Sequence, residues 1–220
     1  MTELIESDAK RLWQEALSYI LENGDDYVDS DSRNCKEVFN FCLTIKDVAD
    51  ADVEQPVNIM ISNKNWLYPS KEELSSIIFK KGSVPAYEYT YGGRIFNFSE
   101  RLDQVTDHII PLLKENPSSR RAVISVYDPL CDSAGKNHNV PSLMYMTFRL
   151  KKDRLFTTAH LRSSEVFFGW PANLFQLFKL HESISKQLAV ESGDLSIFSN
   201  ASHVFLDDLN HIRKILEQKE

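Results

Sequence analysis

Three apolar segments follow one another between residues 122 and 162, and they constrain the fold more than any other feature of the sequence. The segments "AVISVY", "SLMYMTFRL" and "RLFTTAHLR" are rich in β-branched and aromatic residues, which favour strands. The charged turn "KKD" joins the last two, as expected for a hairpin, and the run "VFNFCLTI" nearer the N-terminus has the same character. The pattern predicts a sheet with much antiparallel pairing.

Helical patterns surround these strands. Apolar residues recur at steps of three or four over residues 12–21, over 99–116 with a kink expected at Pro111, and over 171–188. The tail "LDDLNHIRKILEQKE" predicts a final amphipathic helix. Strands and helices in these groupings indicate an α+β fold, in which helices pack on a mainly antiparallel or mixed sheet.

The composition bounds the domain count and the class of partner. With 220 residues, 42% of them hydrophobic, and only 7 glycines and 8 prolines, the chain is expected to form a single domain over residues 1–220. A net charge of -7 argues against DNA or RNA as a partner, because phosphate backbones require an excess of Lys and Arg. No apolar run approaches the roughly 20 residues that a membrane span requires.

The cysteines bear on redox environment and metals. Cys35, Cys42 and Cys131 form an odd set without a C-x-x-C pair, so neither a disulfide framework nor a metal site is expected. A reducing cytoplasm fits this usage.

Four arginines lie at the boundaries of apolar segments: Arg33, Arg120, Arg121 and Arg162. A guanidinium presents forked donors that match the oxygens of a phosphate, so a group of arginines at strand ends is typical of a small-anion site. Taken singly, each arginine is more typical of a solvated or salt-bridged surface residue.

Several motifs in a fixed order extend this interpretation. The blocks "SSRRAVISVYDP", "PSL", "HLRSSEVFFGWPANLFQLFKL" and "SNASHVF", preceded by "YEYTYGGR", resemble the thymidylate synthase and pyrimidine nucleotide hydroxymethylase family in order and interval. The short length is similar to the archaeal-type members. The resemblance implies a thymidylate synthase-like fold whose sheet face forms a dimer interface, and a homodimer with shared active sites.

The resemblance assigns the arginines to one phosphate. Arg162 and Ser163 match the residues that hold the nucleotide phosphate, and Arg33 matches the loop arginine that closes on it. Arg120 and Arg121 match the pair that reaches the phosphate bound by the partner subunit. A single subunit would then have an incomplete site.

Other positions match residues around the base and sugar. Asn173 matches the asparagine that reads the pyrimidine edge and favours UMP or dUMP over CMP or dCMP, since related cytosine-selective enzymes resemble this pattern with aspartate there. His203 matches the histidine near the sugar, and Tyr91 the tyrosine near the reacting base. A helix-start amide bonded to local backbone is an equal alternative for Asn173. The family's sugar-binding tyrosine is Phe205 here.

Ser142 occupies the position of the family's catalytic cysteine. That cysteine adds as a thiolate to C6 of the pyrimidine and makes C5 nucleophilic towards a one-carbon donor. A serine hydroxyl has no comparable anionic fraction and requires a general base, and Leu143 stands where the family often has a histidine. Cys131 as a relocated nucleophile is a less favoured alternative, because a loop rich in Gly, Ser and Asn positions a thiol poorly.

Proton handling and the donor are the remaining expectations. The family's proton-handling glutamate has no certain match, and Glu72, Glu73 and Glu88 are candidates, with Glu88 nearest the strong motifs. Glu165 matches a folate-side aspartate, which implies methylenetetrahydrofolate or a related pterin as one-carbon donor and no metal.

Three functional interpretations stay open. The first is a transferase of nucleotide biosynthesis that methylates or hydroxymethylates C5 of a uridine-type nucleoside monophosphate with an atypical nucleophile at Ser142. The second is a catalytically inactive or repurposed nucleotide-binding homodimer. The third is an active enzyme of this family in which serine replaces a native cysteine by engineering.

Overall fold

A seven-stranded sheet forms the centre of the computed structural model, which describes residues 1–64, 66–82, 89–133 and 140–218. The strands are β1 Thr2–Glu6, β2 Asp25–Val28, β3 Asn34–Ile45, β4 Val123–Ser125, β5 Leu143–Lys151, β6 Arg154–Glu165 and β7 Glu191–Phe205. Their order across the sheet is β1, β3, β7, β6, β5, β4. Strands β1 and β2 pair with the same edge of β3, β1 with its C-terminal half and β2 with its N-terminal end.

The helices cover one face of this sheet. The α-helices are α1 Ala9–Asn23, α2 Gln55–Ser62, α3 Lys71–Phe79, α4 Tyr91–Phe96, α5 Ile110–Glu115, α6 Pro129–Asp132, α7 Gly169–Leu188 and α8 Leu209–Leu216. A π-helical turn at Gln104–Ile109 precedes α5, and a 3-10 turn at Leu206–Asp208 precedes α8.

The predicted α+β class and mixed sheet are confirmed. Strands β1 and β3, and strands β6 and β7, pair in parallel, whereas the β2/β3, β3/β7, β4/β5 and β5/β6 pairs are antiparallel. A parallel pair requires a crossover connection, and the long helix α7 supplies it between β6 and β7.

The core lies between the sheet and helices α1 and α7. Trp13 of α1 and Trp170 of α7 are fully buried with the inward residues of the strands, such as Phe148 and Leu195. Trp13 donates its indole N–H to the carbonyl of Val166 at 2.7 Å, which ties α1 to the chain just after β6. No helix within the described ranges is long and apolar enough to cross a membrane.

Two local predictions need correction. The helix expected over 99–116 begins at Gln104, because the Asp103 carboxylate accepts hydrogen bonds from the backbone N–H groups of Val105 and Thr106 and fixes the start there. The residues "AVISVY" form only the three-residue strand β4. The kink expected at Pro111 corresponds to the change from the π-helical turn to α5, which begins one residue before this proline.

A break in the pairing shapes one end of the sheet. The row Asn40, Asn200 and Arg162 lies outside the paired ladder, and Asn40 has the left-handed φ of 54°. Before this row, the buried residues of β6 and β7 include Leu161 and Ser199, and beyond it they include Ser164 and Ser202. The alternation of buried and exposed side chains along each strand is therefore shifted by one residue at the row. Beyond the break, the side chains at 163, 165 and 203 are only half-buried.

Candidate active site

Ser142 lies directly before β5 and is hydrogen-bonded to Tyr91. The Tyr91 hydroxyl is 2.8 Å from Ser142 Oγ. Tyr91 begins α4, whose N-cap Thr90 accepts the backbone N–H of Gly93 at 3.0 Å and so fixes the start of this helix. Burial raises the pKa of Tyr91 above its usual value, while the bond to Ser142 opposes the rise. The phenol is therefore neutral at neutral pH and does not act as a base on the serine.

Arg162 braces the segment that precedes the serine. Its backbone N–H donates to the Ser142 carbonyl at 2.8 Å. Its guanidinium donates from Nε to the Pro141 carbonyl at 3.1 Å and from Nη2 to the Val140 carbonyl at 2.9 Å. The side chain is exposed, so the remaining N–H donors face outwards beside Ser142.

Glu165 ends β6 and caps the start of α7. Its carboxylate accepts the backbone N–H groups of Phe167, Phe168 and Gly169 at 2.8, 2.6 and 2.7 Å. Burial raises the pKa of Glu165 to about 7, and the three N–H donors oppose this rise because they favour the ionised form. In this conformation both carboxylate oxygens are engaged by the backbone.

His203 and Phe205 lie at the end of β7, and Arg33, directly before β3, reaches the Phe205 ring. The rings of His203 and Phe205 are 5.0 Å apart, and the Arg33 guanidinium lies 4.0 Å from the centre of the Phe205 ring. Arg33 also pairs with Asp29 at 2.7 Å and with Asp31 at 3.4 Å. Burial lowers the pKa of His203, and the Arg33 charge lowers it further. This imidazole is therefore neutral at neutral pH.

Asn173 lies in the second turn of α7 and is half-buried. Among the described residues its side-chain amide has no hydrogen-bond partner, so the local backbone contact considered as an alternative is not observed. Ser163 is half-buried beside Arg162 in β6.

Arg120 and Arg121 are far from Ser142 in the single chain. Both are exposed, and they precede Ala122, whose carbonyl accepts the N–H of Phe148 at 2.9 Å. Phe148 lies six residues along β5 from Ser142, a separation of about 20 Å at the usual rise per residue. One chain alone therefore does not bring this pair to the serine.

The candidate proton-handling glutamates Glu72 and Glu73 and the alternative nucleophile Cys131 lie in different parts of the structure. Glu88 lies outside the described residues. Glu73 accepts the N–H of Ser70 at 2.8 Å in the capping box of α3, and Glu72 lies in the same helical turn. Cys131 is exposed on α6, and the charge of nearby Asp128 raises its pKa, which disfavours the thiolate that a relocated nucleophile requires.

An aromatic group beside Glu165 was not predicted from the sequence. Tyr68 donates its hydroxyl to the carbonyl of Phe168 at 2.9 Å, and the two rings are 4.9 Å apart. The Trp66 ring is 6.3 Å from that of Phe168, and Leu67 is 97% exposed. The segment 66–68 carries only a short apolar signal, so its position next to the start of α7 depends on tertiary packing.

Comparison with known proteins agrees with the motif order. A family model described as "Thymidylate synthase" matches residues 78–220. A protein of Methanosarcina mazei named "Putative thymidylate synthase" is 28% identical over 206 residues, which cover 93% of this chain and 90% of that protein. One of the same name from Methanothermobacter thermautotrophicus is 28% identical over 213 residues, covering 93% and 94%.

A relative that matches a shorter part of the chain has a different name. The "Deoxyuridylate hydroxymethyltransferase" of Bacillus phage SP01 is 31% identical over 109 residues, which cover 49% of this chain and 28% of the phage protein.

Proposed function

This chain belongs to the thymidylate synthase family, and from that premise we propose that it binds a uridine-type nucleoside monophosphate with C6 of the base beside Ser142. The proposed reaction is one-carbon transfer to C5, either methylation or hydroxymethylation. The names of the archaeal relatives support the first product and that of the phage relative supports the second.

The observation that carries the proposal is the 2.8 Å contact between Tyr91 and Ser142. It joins two distant motifs at one point, and Arg162 braces that same point through the carbonyls of residues 140 and 141. A base stacked there would have a hydroxyl pair on one side and a guanidinium close by. Asn173 supports uracil over cytosine, since its free amide can donate to O4 and accept from N3–H.

The phosphate would lie between Arg162 with Ser163 and the loop that carries Arg33. Arg33 is held by Asp29 and Asp31 in the ligand-free chain, so phosphate would have to compete for a guanidinium that is already paired. Both pairs are partly exposed, and exposed pairs contribute little free energy. A dianionic phosphate is therefore a favourable replacement partner.

A homodimer would complete the phosphate site with Arg120 and Arg121 of the second copy. The helix-free sheet face supports such an arrangement, because it carries an aromatic row formed by Tyr145, His160 and Phe198. The Tyr145 and His160 rings stack at 4.3 Å, and those of His160 and Phe198 are 5.7 Å apart. Phe39 on the same face is 60% exposed. Aromatic residues are enriched in interfaces of this kind.

The residues beside Glu165 fit the family's one-carbon donor, methylenetetrahydrofolate, or a related pterin. Phe168 is 37% exposed and its ring packs edge-to-face against Trp66 and Tyr68, which offers an aromatic surface to a pterin ring. When bound, the donor would supply the carbon that C5 accepts. Glu165 would act through the position of α7, whose first N–H groups it holds.

The Ser142 environment favours a second candidate, a nucleotide-binding protein without addition chemistry. Tyr91 is a neutral phenol with a raised pKa, and no His, Asp or Glu side chain among the described residues is hydrogen-bonded to Ser142. Attack at C6 needs a base that removes the serine proton. Nucleotide binding and addition at C6 can thus be tested separately.

Isothermal titration with UMP, dUMP, CMP and dCMP tests the binding proposal. We expect the uridine nucleotides to bind and the cytidine nucleotides to bind at least about tenfold more weakly, the difference expected for one lost hydrogen-bond match. Failure of all four to bind would remove the proposed function. Release of tritium from C5-labelled nucleotide, with and without methylenetetrahydrofolate, then separates the enzyme from the binding protein.

A further inference from the structure

Glu37 lies in one row with His203 and Glu165 at the site end of the sheet. In β3 it pairs with His203 of the antiparallel strand β7, and His203 pairs in turn with Glu165 of the parallel strand β6. Side chains of directly paired residues share one face, with Cβ atoms about 5 Å apart. Two residues further along β3, Phe39 is exposed on the helix-free face, which places Glu37 on that face as well.

Glu37 is a carboxylate without a partner. It is half-buried, and it makes no hydrogen bond or ion pair with any described residue. Burial raises its pKa above the usual value. Glu165 in the same row, by contrast, accepts three backbone N–H groups. Because the side chain is only half-buried, water still reaches the carboxylate, and a ligand that brings a hydrogen-bond donor can replace that water.

The neighbours of Glu37 narrow the kind of donor. Cys35 and Phe205 form the next row on the same face, about 7 Å along the strands, and Arg33 covers the Phe205 ring at 4.0 Å. Ser163 lies in the adjacent row on the other side, with Ala201 and Phe39, so the residues assigned to the phosphate flank the Glu37 row. A carboxylate in this row would repel the phosphate itself, and the base is assigned to the Ser142 end. The part of a nucleotide between phosphate and base is the sugar, whose hydroxyls are uncharged donors.

We propose that Glu37 accepts a hydrogen bond from a sugar hydroxyl of the bound nucleotide and thereby selects nucleotides by their sugar. The inference rests on the proposed function, since it requires a nucleotide in this site. Phe205 offers a ring without a hydroxyl and Glu165 is held by backbone N–H groups, so on β3, β7 and β6 this row offers two acceptors for a hydroxyl, the neutral His203 imidazole and the Glu37 carboxylate. The carboxylate is the stronger acceptor of the two because it is charged. Carboxylates at strand ends read ribose hydroxyls in the same way in dinucleotide-binding folds.

The test is a calorimetric comparison of Glu37→Gln with the unaltered protein for UMP, dUMP and 2′,3′-dideoxyuridine monophosphate. The substitution keeps the shape of the side chain and removes its charge. We expect it to weaken binding of a hydroxyl-bearing nucleotide about tenfold to hundredfold, the range for a hydrogen bond to a charged group. Binding of the dideoxy nucleotide, which lacks both hydroxyls, should be unchanged.

Glu115→Gln is the matched control, because Glu115 is an exposed carboxylate at the end of α5, away from the site end of the sheet. A loss for UMP and dUMP alike assigns the contact to the 3′-hydroxyl, and a loss for UMP alone assigns it to the 2′-hydroxyl. Equal effects of Glu37→Gln on all three nucleotides, or no effect on any, would overturn the inference. If the unaltered protein binds no nucleotide, the failure lies with the proposed function instead.

Discussion

Replacement of Arg162 by alanine should weaken binding of UMP much more than binding of uridine. The guanidinium is exposed, and its bonds at 3.1 and 2.9 Å go to carbonyls of the segment before Ser142. Truncating one partner of a charge pair in a binding site costs about 2 to 4 kcal/mol when the pair is partly desolvated. That range corresponds to a loss of about 30-fold or more in UMP affinity.

Uridine separates the phosphate contact from the bracing role. Uridine lacks the phosphate, so its affinity reports only the altered position of residues 140–142, and we expect a change below about tenfold. Arg213→Ala, at an exposed arginine of α8, serves as the control. Calorimetric titration of both ligands measures the two effects. Equal losses for UMP and uridine, or an unchanged UMP affinity in folded protein, would refute the phosphate assignment.

Three further results are expected. His181 is fully buried, and its Nδ1 is 2.8 Å from the Thr157 hydroxyl. Burial lowers the pKa of His181 to about 4. Between about pH 6.5 and pH 4 the unfolded state therefore binds more protons at this residue than the folded state does. The free energy of unfolding should therefore fall by up to about 3 kcal/mol as the pH falls through that window. In urea titrations, His181→Gln should lack this part of the pH dependence. The same pH slope in both proteins would contradict the prediction. Asn173→Asp should shift nucleotide preference from UMP towards CMP in competition titrations, and an unchanged ratio would count against its role at the base. Tyr145→Glu should place a charge in the aromatic row beside His160 and yield monomers in analytical ultracentrifugation, whereas an unaltered protein that is already monomeric would refute the shared site.

The sequence predicted those parts of the fold whose signals are local. Strands β5 and β6 and helices α1 and α7 carry continuous apolar or helical patterns, and the structure contains all four. Strand β7 was not predicted, because Ser, Asp and Asn interrupt the apolar residues of "ESGDLSIFSNASHVF" and leave no continuous apolar run like those of β5 and β6. Its polar residues are accommodated because, in the described part of the chain, one face of the sheet is not covered by helices, and the other face accepts buried serines such as Ser199 and Ser202.

The site was predictable only where a motif carried it. The family motifs indicated Ser142, Tyr91 and Arg162. The contact between Tyr91 and Ser142, however, depends on how α4 packs against the start of β5. No sequence motif indicated Glu37. Its position beside His203 follows from the register between β3 and β7, which are distant in the sequence, and from the break in pairing at Asn40. Side-chain pairing between distant strands is a property of the folded chain rather than of a sequence window.

The most direct measurement of the central claim, that C6 of a uridine nucleotide lies beside residue 142, is tritium release from C5-labelled dUMP by Ser142→Cys in the presence of methylenetetrahydrofolate. A thiol has a pKa of about 8.5, so a useful fraction is thiolate where the serine hydroxyl has none, and Arg162 nearby should increase that fraction. We predict tritium release by Ser142→Cys well above that of the unaltered protein. A Ser142→Cys protein that folds and binds dUMP, yet releases no tritium, would contradict the placement of the base.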